Sequence, residues 1–399
     1  MSLRRQLRWG GLWIMVVSLL VSVTNILVYA GKDNAAIQAV HFAGYTGLVL
    51  TCTIIHIAQA RRAGLLGLVA YLLSVLGLVY SNSVTFLTLA ELAGIEEMAQ
   101  ALDAVEATPV MGLVKYGVLL GWMLLGLAVA RAGILPRWGG ILLALGIGLQ
   151  VPAQFARDVS GPVFYIFTIG GSVIFGAGLL WIGWALWSGR GLMAEDPPLS
   201  NLDRLWGAPF VMLSASLTML NAYINSVPDL TLLDGTINLL SLTALIFAIV
   251  ILHTAQAEHA GGIGLAGFFL IHLGSTLLVI TAYFIWAQLA GQLENNSVLM
   301  ASWVDIPVGR YGNYLLMLGT FLFGVSAVRG DVFPRWSGWL VAIGLALLLP
   351  SQFQSQDYLF TIFWVIGASL QGVGLGWMGW TLWQKKHPEQ IVQLRESTP

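Results

Sequence analysis

Twelve runs of about twenty or more mostly apolar residues, separated by short polar breaks, organise this chain. They cover 9–30, 37–60, 64–88, 109–130, 136–156, 161–187, 206–226, 234–257, 262–290, 307–328, 334–354 and 358–383. Each is long enough to cross roughly 30 Å of hydrocarbon as a helix. The pattern predicts an all-α, polytopic membrane protein with twelve transmembrane helices.

The second half of the pattern restates the first. "LPRWGGILLALGIGLQVPAQF" (135–155) and "FPRWSGWLVAIGLALLLPSQF" (333–353) agree at eleven of 21 positions. "IIHIAQA" (54–60) pairs with "ILHTAQA" (251–257), and "VKYG" (114–117) with "GRYG" (309–312). Trp181, Trp184 and Trp187 pair with Trp377, Trp380 and Trp383. The separations are 198, 197, 195 and 196, and a nearly constant offset over scattered matches indicates an internal repeat. Six helices per repeat return the chain to its starting side. The halves are therefore expected to have parallel topology, related by an axis along the membrane normal. The organisation read from this is a first repeat over 1–187, a linker over 188–204, a second repeat over 205–384 and a polar tail over 385–399. The start "MSLRRQLRW" with its apolar run imitates a signal peptide. Trp9-Gly10 and Met15 have counterparts at Trp206-Gly207 and Met212, so the first helix is expected to be a retained part of the repeat.

Basic residues set the orientation. With a cytoplasmic N-terminus, fourteen of the 18 Lys and Arg residues fall inside. Lys32, Lys115, Arg157 and Arg310 fall outside or near the outer edge. The expected location is the cell (inner) membrane, with both termini cytoplasmic. The "PRW" tripeptides then sit in short inner loops, where Arg anchors, Trp seats at the interface and Pro opens the next helix. The Trp triplets read as an aromatic belt. The segment 91–109, apolar at helical spacing and acidic between, reads as an interfacial helix or as a lid over an outer vestibule.

Composition narrows the function classes. The chain has 399 residues, is 57% hydrophobic and only 9% charged. About 25% charged residues is usual for soluble domains, so lipid is the expected partner of this apolar surface. A net charge of −1 gives no reason to expect nucleic acid as a partner. Cys52 is the one cysteine. It excludes an intrachain disulfide and reads as a small apolar filler. Walker loops, HExxH, GxSxG and paired-cysteine metal motifs are absent, and the chain is read as a non-enzyme with no metal site.

Two groups of residues are candidates for chemistry. The first is Lys115 and Tyr116 with Arg310 and Tyr311, beside Gln154 and Gln352 in the following spans. Lys115 falls about 6 Å inside the expected hydrocarbon edge. It either snorkels or, with the others, forms a site for a small anionic solute beneath an outer opening. Asn25, His41, Asn82, Asn221 and Asn238 fall at similar depth. Asp158 and Asp357 are the nearest acidic residues by height. Polar groups inside a bilayer usually face a bundle interior or water, so an outward-facing polar cavity is expected in at least one half. The second group is histidine. His41 and His56 share a span and differ by about 60° in direction and ~22 Å in height. His253 pairs with His56 by the repeat, so those two could hold a haem near the inner side. The counterpart of His41 is Asn238, and that of His272 is Val75.

On the "AGILPRWGG" and "GDVFPRWSG" loops, each half resembles uncharacterised bacterial six-helix membrane proteins of the domain-of-unknown-function type, here duplicated. That resemblance implies a fold and no activity. The six-plus-six plan also resembles the major facilitator superfamily in length and symmetry. Its loop between spans two and three reads "AQARRAGLLG", where that family carries a Gly…Asp-Arg-x-Gly-Arg-Arg pattern. Three functional classes are left open. They are a small-solute transporter or binding protein, a structural or assembly subunit of a membrane complex, and a haem- or quinone-handling redox subunit.

Overall fold

A computed structural model describes residues 2–94, 109–155, 162–189, 201–224, 231–289, 307–348 and 358–386. Every regular element among them is a helix. In chain order these are α1 (Leu3–Tyr29), α2 (Ala35–Leu92), α3 (Pro109–Ala132), α4 (Arg137–Phe155), α5 (Pro162–Trp187), α6 (Asn201–Ile224), α7 (Leu232–Leu289), α8 (Pro307–Gly330), α9 (Arg335–Leu348) and α10 (Tyr358–Lys386). Among the described residues, nine helical stretches are long and apolar enough to cross a membrane. They fit a multi-pass, membrane-embedded protein. In lipid the helix satisfies its own backbone, so a chain this apolar folds as helices.

The two long elements are hairpins. α2 breaks at Gly64 (φ 57°, ψ −148°) and α7 at Gly261 (φ 62°, ψ −162°). That backbone region is essentially open to glycine alone. The arms of α2 run antiparallel. His56 stacks on Tyr71 at 4.5 Å, Asn82 donates to Thr46 at 2.6 Å, and Phe42 meets Phe86 at 5.8 Å. In α7, His253 stacks on Phe268 at 4.3 Å and Trp286 Nε1 donates to Thr236 at 3.1 Å. Expected spans 37–60 and 64–88 are thus the arms of α2, and 234–257 and 262–290 those of α7.

Helix ends follow local chemistry. Asn34 caps α2 by accepting from the Ile37 amide at 3.0 Å, which satisfies one orphan donor. Proline opens α3, α5 and α8, where its missing N–H costs nothing. The loop after α3 turns at Gly133 (φ 67°), and the loop after α8 at Asp331 (φ 50°), whose carboxylate accepts from Arg335 Nε at 3.0 Å. α1 starts six residues before its expected span. Its basic first turns are held by Arg8, which donates to the Trp187 carbonyl at 2.9 Å and lies 5.8 Å over that indole.

The chain divides into two compact units, one holding α1–α5 and the other α6–α10. Each packs through small residues, as helices in lipid do. In the first, α3 and α4 touch backbone to backbone at Gly126 and Gly140; in the second, α8 and α9 do so at Gly324 and Gly338. Buried hydroxyls bond the backbone. Ser18 donates to the Gly176 carbonyl at 2.9 Å and Ser326 to the Ala260 carbonyl at 3.0 Å. Cys52 is fully buried. Trp138 and Trp336, in the first turns of α4 and α9, and Trp181, Trp184, Trp377 and Trp380 are exposed.

Candidate functional site: a polar cavity in each unit

Each unit has a partly open cavity at the helix ends away from the "PRW" segments. The first has a volume of about 240 Å³. The end of α1 supplies Asn25 and Tyr29, and the start of α2 supplies His41 and Tyr45. The far end of α2 supplies Ser81 and Thr85, α3 supplies Lys115 and Trp122, and α4 supplies Gln150. The His41 and Tyr45 rings lie 4.5 Å apart, and Trp122 meets Phe175 edge-on at 5.1 Å. Gln150 Nε2 donates to Ser172 Oγ at 3.4 Å.

The second cavity has a volume of about 290 Å³. Thr218 and Asn221 come from α6, Asn238, Ser241 and Thr281 from α7, Asn313 from α8 and Gln371 from α10. Asn221 Nδ2 donates to Asn238 Oδ1 at 3.3 Å, and the Thr218 and Ser241 hydroxyls are 3.4 Å apart. Met317, Leu345 and Leu348 pack together with Trp364 beside them and form an apolar wall. Both cavities lie just below the range usual for drug-sized ligands, and both combine apolar walls with a few convergent polar groups.

The sequence candidates distribute unevenly. Lys115 lines the first cavity and is half-buried. Its neighbour Tyr116 is 46% exposed on the outside of α3. On α8, Arg310 and Tyr311 are exposed, Tyr311 by 62%; the lining comes instead from Gly309 and Asn313 on either side. The Gln154 side chain and all of Gln352, Asp158, Asp357 and 95–108 lie outside the described residues. Asn25, His41, Asn221 and Asn238 line cavities, whereas Asn82 is spent on Thr46 between the arms of α2. His56 and His253 are buried in different units, each with one ring face against an aromatic. Phe268 also meets His272, at 4.9 Å. No group of three metal-ligating side chains occurs among the described residues.

Tyr45, Gln150, Ser241, Asn313 and Gln371 escaped the sequence reading. The available signal was a lone amide or hydroxyl inside an otherwise apolar run, as with Gln150 in "LGIGLQVP".

The chain matches no family model, no curated protein and no solved structure.

Proposed function

We propose that this chain is a small-solute transporter or binding protein of the cell (inner) membrane. It is built from two six-helix repeats of parallel topology, with both termini cytoplasmic. The observation that carries the reading is that a polar cavity forms twice from corresponding positions. Asn25 and Asn221 differ by 196, His41 and Asn238 by 197, Leu48 and Leu245 by 197, and Gln150 and Leu348 by 198. Helix packing repeats at the same offsets. Gly10 lies against Ile54 and Gly207 against Ile251; Gly126 faces Gly140 and Gly324 faces Gly338. Among the described residues, counting the arms of α2 and α7 separately, each unit holds six helices. Loop charge turns both cavities toward the outside. Polar side chains within apolar spans usually face a bundle interior or water and mark solute pathways, and a cavity lined by them in each unit supports a ligand site.

A structural or assembly role is the second reading. It is favoured by the buried polar side chains that are spent on helix–helix bonds, Asn82 on Thr46 and Ser18 and Ser326 on backbone carbonyls.

The test is a thermal-unfolding screen of the detergent-solubilised protein against small polar solutes, followed by flux of each hit into vesicles carrying the protein. Hits should lose their stabilising effect in Gln150→Leu or Asn221→Leu. Flux marks a transporter; binding without flux marks a receptor. If no hit depends on cavity residues, the structural role is the better account.

A further inference from the structure

Several amides inside the two units find protein partners. Asn82 donates to Thr46, Gln150 to Ser172 and Asn221 to Asn238. Gln59 and Gln256 do not. Both side chains are fully buried, and neither the amide nitrogen nor the amide oxygen of either has a hydrogen-bond partner among the described residues. The two positions differ by 197, the offset that relates His41 to Asn238 and Leu48 to Leu245. A single orphaned amide would be a local fault of packing. The same one in both units belongs to the repeat.

Each of these glutamines lies at the end of its unit opposite the cavity. Gln59 follows His41 and Gln256 follows Asn238 by 18 residues (59 − 41 and 256 − 238), about 27 Å of helical rise. Five residues further on, the chain bends at Gly64 or Gly261. The α2 bend packs on the end of α3, with Ala63 beside Ala128 and Ala132. The α7 bend packs on the end of α8, where Ser326 bonds the Ala260 carbonyl and a Cβ at Gly330 would meet His259. The "PRW" segments follow those helix ends. Both bends are themselves unfilled, since a Cβ at Gly64 or Gly261 would meet nothing within 4 Å. Helix ends beside such a bend have few contacts to lose when they shift. A carboxamide offers two donors and an acceptor. Enclosed with none of them used, it gives up its hydration and gains nothing in return. Buried groups left in this way call for a water, a ligand or another functional role.

We propose that Gln59 and Gln256 each form a second polar site in their unit, closed in this conformation and reached in another by water and by uncharged hydrogen-bonding solutes from the side of the "PRW" segments. This rests on the reading of the chain as a transporter, in which a solute that enters the cavity at one end of a unit meets a polar contact at the other end on its way out. The carboxamide carries no charge and presents donors and an acceptor together, which suits a neutral solute.

The experiment measures thiol accessibility in the full-length protein carrying Cys52→Ala, with a membrane-impermeant sulfonated thiol reagent as the probe. Gln59→Cys and Gln256→Cys place a thiol at each site. Val49→Cys and Ile246→Cys place one in the same helix arms, buried and ten residues nearer the cavity. In inside-out vesicles the glutamine positions should label about tenfold or more faster than these controls, because only a thiol that water reaches ionises and reacts. In intact cells all four should stay unlabelled. Ala63→Cys and Ala260→Cys, one turn further along the same helix face, leave the amides in place. They should label from the same side, and they decide the matter if a glutamine variant fails to reach the membrane. The proposal is overturned if thiols at these sites label no faster than the controls, or label from intact cells instead. Solutes that bind through cavity residues while the glutamine positions stay inert leave the cavity reading standing and remove only the second site. Labelling from inside in a protein whose cavities bind nothing keeps the second site and removes the transporter reading.

Discussion

Substituting alanine for Gly126 should destabilise the protein, although alanine is the better helix former. A Cβ at Gly126 would lie 2.6 Å from the Gly140 carbonyl oxygen and 2.7 Å from the Ala144 amide nitrogen, where ordinary contact begins at 3.4 Å. Both obstacles are backbone, so no side chain can swing aside, and α3 and α4 must part locally by about 0.8 Å (3.4 − 2.6). Overpacking of this kind costs about 1–3 kcal/mol. Alanine returns up to about 1 kcal/mol in helix propensity, so the net loss is about 0–2 kcal/mol, centred near about 1 kcal/mol. Gly148→Ala, on α4, is the control, since nothing lies within 4 Å of its added Cβ. It should be neutral or stabilising by up to about 1 kcal/mol. Equilibrium unfolding in mixed micelles of increasing SDS fraction reads both variants on one scale. The gap between them should be about 2 kcal/mol. Gly324→Ala should behave like Gly126→Ala, since its Cβ would meet the Gly338 oxygen at 2.8 Å. A Gly126→Ala midpoint equal to that of Gly148→Ala would refute the close backbone approach.

Gly64→Ala and Gly261→Ala should each cost about 1–3 kcal/mol, because the hairpin bends use a conformation that a side chain opposes. An unchanged unfolding midpoint for both would mean that the bends are not where they are described. Thr46→Val removes the acceptor of the buried Asn82 amide and should cost about 1 kcal/mol, as interhelical hydrogen bonds in membranes do. Thr46→Val in an Asn82→Leu background should cost much less, and equal costs in the two backgrounds would deny the coupling. Reporter fusions at residues 95 and 195 should report opposite sides of the membrane, with 195 cytoplasmic; equal signals would defeat the proposed topology.

Run length carried most of the fold. Twenty apolar residues between polar breaks leave the chain few options in lipid, so α3, α5 and α8 begin within a residue of where the pattern puts them. The hairpins were legible as pairs of spans, but their bends were not, because Gly64 and Gly261 are two among 46 glycines and only the backbone angle singles them out. Arg4, Arg5 and Arg8 concealed the early start of α1, since charge there reads as loop until Trp187 supplies it a partner. The cavity was half legible. Asn25 and Asn238 stood out by depth, but Gln150 and Asn313 needed neighbours from other helices to become a lining. The Lys115–Arg310 pairing shows how a short match, with only Tyr-Gly identical, can mislead. Lys-Tyr-Gly and Arg-Tyr-Gly match one turn out of step with the glycine contacts, which set Gly77 on Val118 and Gly274 on Leu316, and packing decides which side chain reaches the cavity.

The central claim, a water-accessible polar cavity at corresponding positions in both halves, is tested most directly by thiol accessibility in a Cys52→Ala background. Asn25→Cys and Asn221→Cys place a thiol on each cavity wall, and Leu220→Cys places one beside Asn221 on the exposed apolar side of α6. A thiol reacts as its thiolate, which forms in water and not in hydrocarbon. With a membrane-impermeant reagent added outside intact cells, the account predicts labelling of Asn25→Cys and Asn221→Cys and none of Leu220→Cys. If both cavity cysteines stay as inert as Leu220→Cys, or label only from the face of the "PRW" loops, the claim is contradicted.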